Sequence, residues 1–261
     1  VFLLTPSVIL IRTLLLRETK HGGYTMENGW EASAQAWISL MGDCGDFSRK
    51  QVLDAPMLDR VRLRQSPRVL DVGCGEGRFC RMVAPYAKTV TGIDPTDSLL
   101  QRAASLSDQA FVKAKAEALP FENASFDLVL SYLSLIDIAD AKAAISEMTR
   151  VLAPGGRILI ANLNSWNTAS QSEERGWSRS KNGGTQMTVD HYLQEHSHWG
   201  DWKGMRIRNW HRPMAFYMQE FLKAGLTLSH FDEPWASGEG RAESYNRAPY
   251  LYLMEWQKPR N

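Results

Sequence analysis

Only three cysteines, Cys44, Cys74 and Cys80, occur in the 261 residues, and none belongs to a Cys-x-x-Cys pair. That spacing excludes a disulfide framework and a cysteine zinc cluster, and it suits a reducing, cytoplasmic setting. Charge of one sign is lacking as well. Thirty basic and twenty-nine acidic side chains leave a formal net charge of +1, too weak a field to draw in a nucleic-acid backbone or an anionic membrane. No nucleic-acid partner is expected. Long apolar runs are also missing: the stretch 1–16 is broken by Arg12, is shorter than a membrane span and precedes no small-residue cleavage site. Neither a spanning helix nor a signal peptide is expected there. The first methionine is Met26 and the composition turns ordinary after it. Residues 1–25 therefore read as an extension outside the domain, with a peripheral amphipathic anchor as the alternative use.

What is present is organised around Arg68-Val69-Leu70-Asp71-Val72-Gly73-Cys74-Gly75-Glu76-Gly77. Val69, Leu70 and Val72 make the short apolar run of a buried parallel strand, and glycines at alternate positions follow at once. Phe79, Met82 and Val83 then recur at helical spacing, so the turn feeds a helix whose free N–H groups face the strand's end. Glycine removes the Cβ that would hold a ligand off the backbone, and a polar small molecule fits directly on such a turn. The next strand ends in Asp94, placed where doubly wound sheets use a carboxylate to accept ribose hydroxyls. The spacing is Gly-x-Gly-x-Gly, unlike the Gly-x-Gly-x-x-Gly that seats a pyrophosphate. A nucleoside without phosphates is favoured. An NAD-dependent oxidoreductase would share the turn and the carboxylate and stays as the competing reading.

Four further segments follow in order: Thr91-Gly92-Ile93-Asp94, Ala114-Lys115-Ala116-Glu117-Ala118-Leu119-Pro120-Phe121, Phe126-Asp127-Leu128-Val129-Leu130-Ser131, and Arg150-Val151-Leu152-Ala153-Pro154-Gly155-Gly156-Arg157-Ile158. With Asp71 to Gly77, they resemble the successive motifs of the class I S-adenosylmethionine-dependent methyltransferases, in the small-molecule branch that includes quinone-biosynthesis C-methyltransferases. The resemblance covers residues 55–162. It implies an α/β fold: a Rossmann-like seven-stranded, mostly parallel sheet with helices on both faces, a reversed last strand, and an insertion after the fifth strand. It also implies S-adenosylmethionine as cofactor, with Asp71, Gly73, Cys74 and Gly75 under the methionine part, Asp94 on the ribose and Pro95 beside it. Ala116, Glu117 and Ala118 would frame the adenine, and Ser131 would line the floor. Glu117 has a second reading, as a solvated loop carboxylate. Methylation of RNA or protein remains as an alternative, although no binding domain is appended.

The expected organisation is a helical lid over 26–66, a methyltransferase domain over 67–261 and a substrate cap inserted at 163–212. Ala34, Trp37, Ile38 and Met41 mark one lid helix, and Val52 to Val61 a second, broken near Pro56. Trp30, Trp37 and Arg49 either close the site or belong to helices covering a sheet edge. The cap region holds five of the nine tryptophans and four of the six histidines. Its segment 168–188 reads as a mobile polar loop. The tryptophans suit a flat aromatic or hydrophobic small-molecule substrate, or else they pack a lid or a homodimer contact. His191, His196 and His198 match no standard zinc spacing, so no metal is expected. For a general base, His211 is the leading candidate because it sits where the cap rejoins the core and titrates near neutral pH. Tyr132, His191 and Tyr192 compete, and His211 has an alternative role as a structural cap.

Overall fold

The computed structural model describes residues 28–170, 177–179 and 185–260. Expectations for residues 1–25, and most of the loop expected at 168–188, lie outside the described residues.

Four strands, β1 (Arg68–Val72), β2 (Thr89–Asp94), β3 (Ala110–Lys113) and β4 (Phe126–Tyr132), run parallel with β5 (Leu152–Leu163). Two more, β10 (Thr227–Asp232) and β11 (Leu251–Gln257), complete a seven-stranded sheet in the order β10-β11-β5-β4-β1-β2-β3. Strand β11 is antiparallel to both of its neighbours, so the last strand is reversed as expected. The central strands are apolar on both faces because each face is covered. Leu70, Val72, Val129, Ile158 and Ile160 fall in one core, while Val69, Leu128, Leu130, Leu159 and Ala161 fall in the other.

Helices cover both faces. The first core is closed by α5 (Ala141–Val151) and α7 (Met214–Lys223), through Ala144, Ile145, Met148, Tyr217 and Phe221. The second is closed by α2 (Asp54–Arg62) and α3 (Arg78–Val83), through Met57, Val61, Phe79, Cys80 and Val83. Helix α4 (Asp97–Leu106) follows β2 and buries Leu99 and Ala103. Truncating Met57, Phe79, Leu99, Ile145, Met148 or Phe221 to alanine should cost about 2–5 kcal/mol each.

Two details depart from the sequence reading. Pro56 does not break the second helix; it sits in the first turn of α2, preceded by a π-helical turn, Arg49–Leu53. The wider turn absorbs the proline's missing N–H and its clash with the carbonyl one turn back. Strand β5 begins at Leu152 and runs through Pro154, Gly155 and Gly156, residues that ordinarily mark a turn, with a register shift against β4 at its start.

Between β5 and α7 stand a single helical turn, α6 (Ser165–Thr168), and two separate hairpins, β6 (Trp177–Arg179) with β7 (Thr185–Met187), and β8 (His196–Trp202) with β9 (Met205–His211). The second hairpin joins the lid helix α1 (Trp30–Met41) in a small apolar cluster of Ala34, Trp37, Met41, Leu99, Met205 and Ile207. Arg208 N–H donates to the Asn28 carbonyl at 2.9 Å, and Trp210 N–H to the Ile136 carbonyl at 2.7 Å. Lid helix and hairpin thus form one cover anchored to the turn after β4.

Candidate functional site

Chain order reverses across β1, which pairs with β2 on one side and β4 on the other. At such a switch point the loops diverge beyond the strand ends and leave a crevice. The turn after β1 enters it first. Gly73 has φ +75°, and a Cβ there would overlap the Ser134 Cβ from the turn after β4, so only glycine lets the two turns meet. Gly73 and Cys74 N–H groups donate to the Ile93 carbonyl at 2.8 and 2.9 Å. Ser134 hydroxyl donates to the Val72 carbonyl at 2.6 Å and accepts from Ser131 at 2.7 Å.

Carboxylates gather around these turns. Asp94 accepts from Gly75 N–H at 3.0 Å and Thr96 N–H at 2.9 Å. Burial raises its pKa despite these bonds. Asp71, 1% exposed, accepts only the Cys80 thiol at 3.2 Å, and its Oδ1 has no protein partner. Burial pushes its pKa up to about 7, with Asp94 and Glu76 adding to the rise against the Cys80 hydrogen bond. Glu76 accepts the Trp37 indole N–H at 3.1 Å. Asp137 accepts from Asn209 of β9 and from Trp30 of α1.

Two adjoining cavities open here. One of about 110 Å³ is lined by Asp71, Gly73, Cys74, Gly75, Asp94 and Pro95, with Trp30, Trp37, Arg49 and Tyr132 across from them. The other, about 560 Å³, is lined by Ile93, Ala116 and Glu117, with Arg208 and Trp210 from the hairpin. Ala118 and Ser131 line neither; Ala118 N–H closes a turn onto the Lys115 carbonyl, and Ser131 stands behind Ser134.

The candidate bases fare differently. His211 is fully buried and lines neither cavity. Its Nε2–H donates to the Tyr192 carbonyl at 2.8 Å, and its Nδ1 takes the Thr168 hydroxyl at 2.7 Å. Burial lowers its pKa further. Both ring nitrogens are engaged, so the structural alternative replaces the catalytic expectation. His191 sits on an exposed turn at φ +51° beside Asp190, away from both cavities. Tyr132 does line the first cavity, but its hydroxyl donates to Asp54 at 2.8 Å. Burial, and then the Asp54 charge, push its pKa well above the phenolic value, so it keeps its proton at neutral pH. Tyr192 lends its carbonyl to His211 and lines neither cavity.

Sequence reasoning passed over Glu76, Ser134 and Asp137. The rule that ligands collect at the carboxyl ends of strands bordering a switch point would have flagged the last two, which follow β4 directly.

A family model described as a methyltransferase domain matches residues 70–160, the span from β1 into β5 that builds the crest. A ubiquinone/menaquinone biosynthesis C-methyltransferase of Hahella chejuensis is 34% identical over 164 residues, covering 55% of this chain and 66% of the relative. In this span the chain is similar to S-adenosylmethionine-dependent methyltransferases. A second methyltransferase, the malonyl-[acyl-carrier protein] O-methyltransferase of Erwinia billingiae, is 37% identical over 102 residues, 39% of this chain and 41% of that one. The chain thus spans less than two thirds of each of these relatives. In fold it is similar to an S-adenosylmethionine-dependent methyltransferase of Mesorhizobium loti, with a TM-score of 0.72, 23% identity, and coverage of 83% of this chain and 100% of the other. The donor set suits the family's cofactor. Asp71 Oδ1 is a buried acceptor without a partner, and the Cβ-free turn leaves the crest open to a ligand. Among the described residues no group of three or more His, Cys, Asp or Glu side chains is placed to hold a metal ion, and no helix is long and apolar enough to cross a membrane.

Proposed function

We propose that this chain binds S-adenosylmethionine across the two cavities and passes its methyl group to a small acceptor with an aromatic or hydrophobic body. When bound, that cofactor supplies a methyl already activated by its positive sulfur, open to in-line displacement by an acceptor O, N, S or carbon. In this reading Gly73, Cys74 and Gly75 form the bed for the methionine part, and Asp71 Oδ1 accepts from its ammonium. Asp94, held by its own loop, keeps a lone pair on each oxygen for the ribose. Pro95, Ala116 and Glu117 border the adenine.

The observation that carries this reading is the partnerless Asp71 carboxylate oxygen, buried beneath the glycine turn and one strand away from Asp94. Trp30, Trp37 and Tyr132 supply the acceptor's apolar wall and exclude water. With His211 enclosed and Tyr132 held protonated, the chain's main contribution is alignment in a dry site.

A screen with methyl-labelled donor tests the acceptor. The panel holds phenols, quinols with and without isoprenoid tails, and acyl carboxylates, since the two relatives are named for quinone biosynthesis and for a malonyl carrier. Transfer to a ring-bearing acceptor is expected. Transfer confined to acyl carboxylates would overturn the aromatic assignment.

A further inference from the structure

Asn28, Gly73, Pro95, Thr96, Asp137 and Ile138 line both cavities, and Asp137 is the only titratable group among them. On the reading above, the methionine part occupies one cavity and the adenine the other. The sulfur that joins them then passes this junction. We propose that Asp137 is the counter-charge to the sulfonium, ionising as the positive sulfur arrives and regaining its proton once only the neutral thioether is left. The proposal rests on the methyltransferase reading.

The carboxylate is held in place from the cover. Trp30 from α1 and Asn209 from β9 both donate to it, and its exposed edge opens onto the cavities. Withdrawal from water pushes its pKa up to about 7 against these two bonds and the Arg49 charge, with Asp94 adding a small rise. Other charged groups face the same space from every side. Glu76 and Asp71 come from the turn at the end of β1, Lys115 and Glu117 from the loop after β3, Glu31 from α1 and Arg208 from β9. Burial therefore favours the protonated form of Asp137 in the empty site. A cation beside it favours the ionised form, so the proton leaves to solvent.

Calorimetry at pH 7 in buffers of different ionisation enthalpy counts that proton. S-adenosylmethionine should release more protons than S-adenosylhomocysteine. Asp71 titrates in the same range, but it faces the part that both ligands share, so its proton cancels in the difference. The ligand amine titrates alike in wild type and Asp137→Asn, and comparing the two proteins removes it. Asp137→Asn should bring the two proton counts together. In the wild type, independently of any variant, the preference for the cationic ligand should fall as pH drops from 8 to 6, by about fivefold where the cation lowers a pKa of about 7 by one unit. Equal proton counts in the wild type, a difference that survives Asp137→Asn, or a pH-independent preference would overturn the assignment. Failure of both ligands to bind would instead remove the methyltransferase reading, a result distinct from two good titrations with equal proton counts.

Discussion

Ser134 occupies the space that a side chain on Gly73 would need, so the two turns bordering the crest are matched residue to residue. Gly73→Ala should cost more than about 2 kcal/mol through the positive φ and the overlap. A thermal melt would show it, and adding Ser134→Gly should recover only part, since the φ cost stays. Asp94→Ala should weaken S-adenosylhomocysteine binding by about 1–3 kcal/mol, the scale of lost charged hydrogen bonds; calorimetry showing unchanged affinity would remove Asp94 from the site. His211→Ala should destabilise by about 1–3 kcal/mol by orphaning the Tyr192 carbonyl and the Thr168 hydroxyl, while leaving the ligand-induced rise in melting temperature intact. The crest was legible in the sequence because Asp71 to Asp94 form one contiguous strand-turn-helix-strand unit whose chemistry is local. His211 was not. Its role depends on Thr168 and Tyr192, partners 43 and 19 residues away, and no short-range pattern reports them. Asp137 could have been flagged by its place after β4, but not its setting, which Trp30 and Asn209 give it from far along the chain.

At the scale of elements, the cover over the crest is built from pieces far apart in the chain. Gly29, at φ +83°, precedes α1, and a Cβ there would overlap the Arg206 carbonyl of β9. Gly29→Ala should therefore part the lid helix from the hairpin. Faster limited proteolysis within residues 28–41, with the sheet's far-ultraviolet signal retained, is the expected outcome; unchanged cleavage would contradict the shared cover. Helix α1 was readable from its apolar spacing. The pairing of α1 with β8 and β9 was not, because the cluster of Trp37, Met205 and Ile207 joins segments about 170 residues apart. Pro56 was misread because proline's local penalty was weighed without the π-helical turn that absorbs it.

Across the whole molecule, two cores on opposite faces of one sheet are tied at β5 and β11 by a buried ion pair. Arg157 and Glu255, 2% and 1% exposed, meet at 3.0 Å, and Arg60 reaches the same oxygen at 3.0 Å. Burial pushes the Glu255 pKa up, but the Arg60 hydrogen bond and the Arg157 and Arg60 charges outweigh it, so the net shift is downward. A lowered folded pKa means the pair's stability is present above the ordinary value of 4.5 and is lost as pH falls through the folded value. Glu255→Gln should cost about 3–5 kcal/mol at pH 7 by leaving buried arginine charge unmatched. In urea titrations that gap should narrow below pH 4.5, and a gap constant down to pH 3 would contradict the pair's role. The sheet, its two cores and its cover serve to present one crest to one class of ligand. Titrating the protein with S-adenosylhomocysteine and, separately, with NAD in a calorimeter tests that most directly. Saturable one-to-one binding of the first, abolished or strongly weakened by Asp94→Ala, with no heat from NAD, is the predicted result; binding of NAD with none of S-adenosylhomocysteine would contradict it.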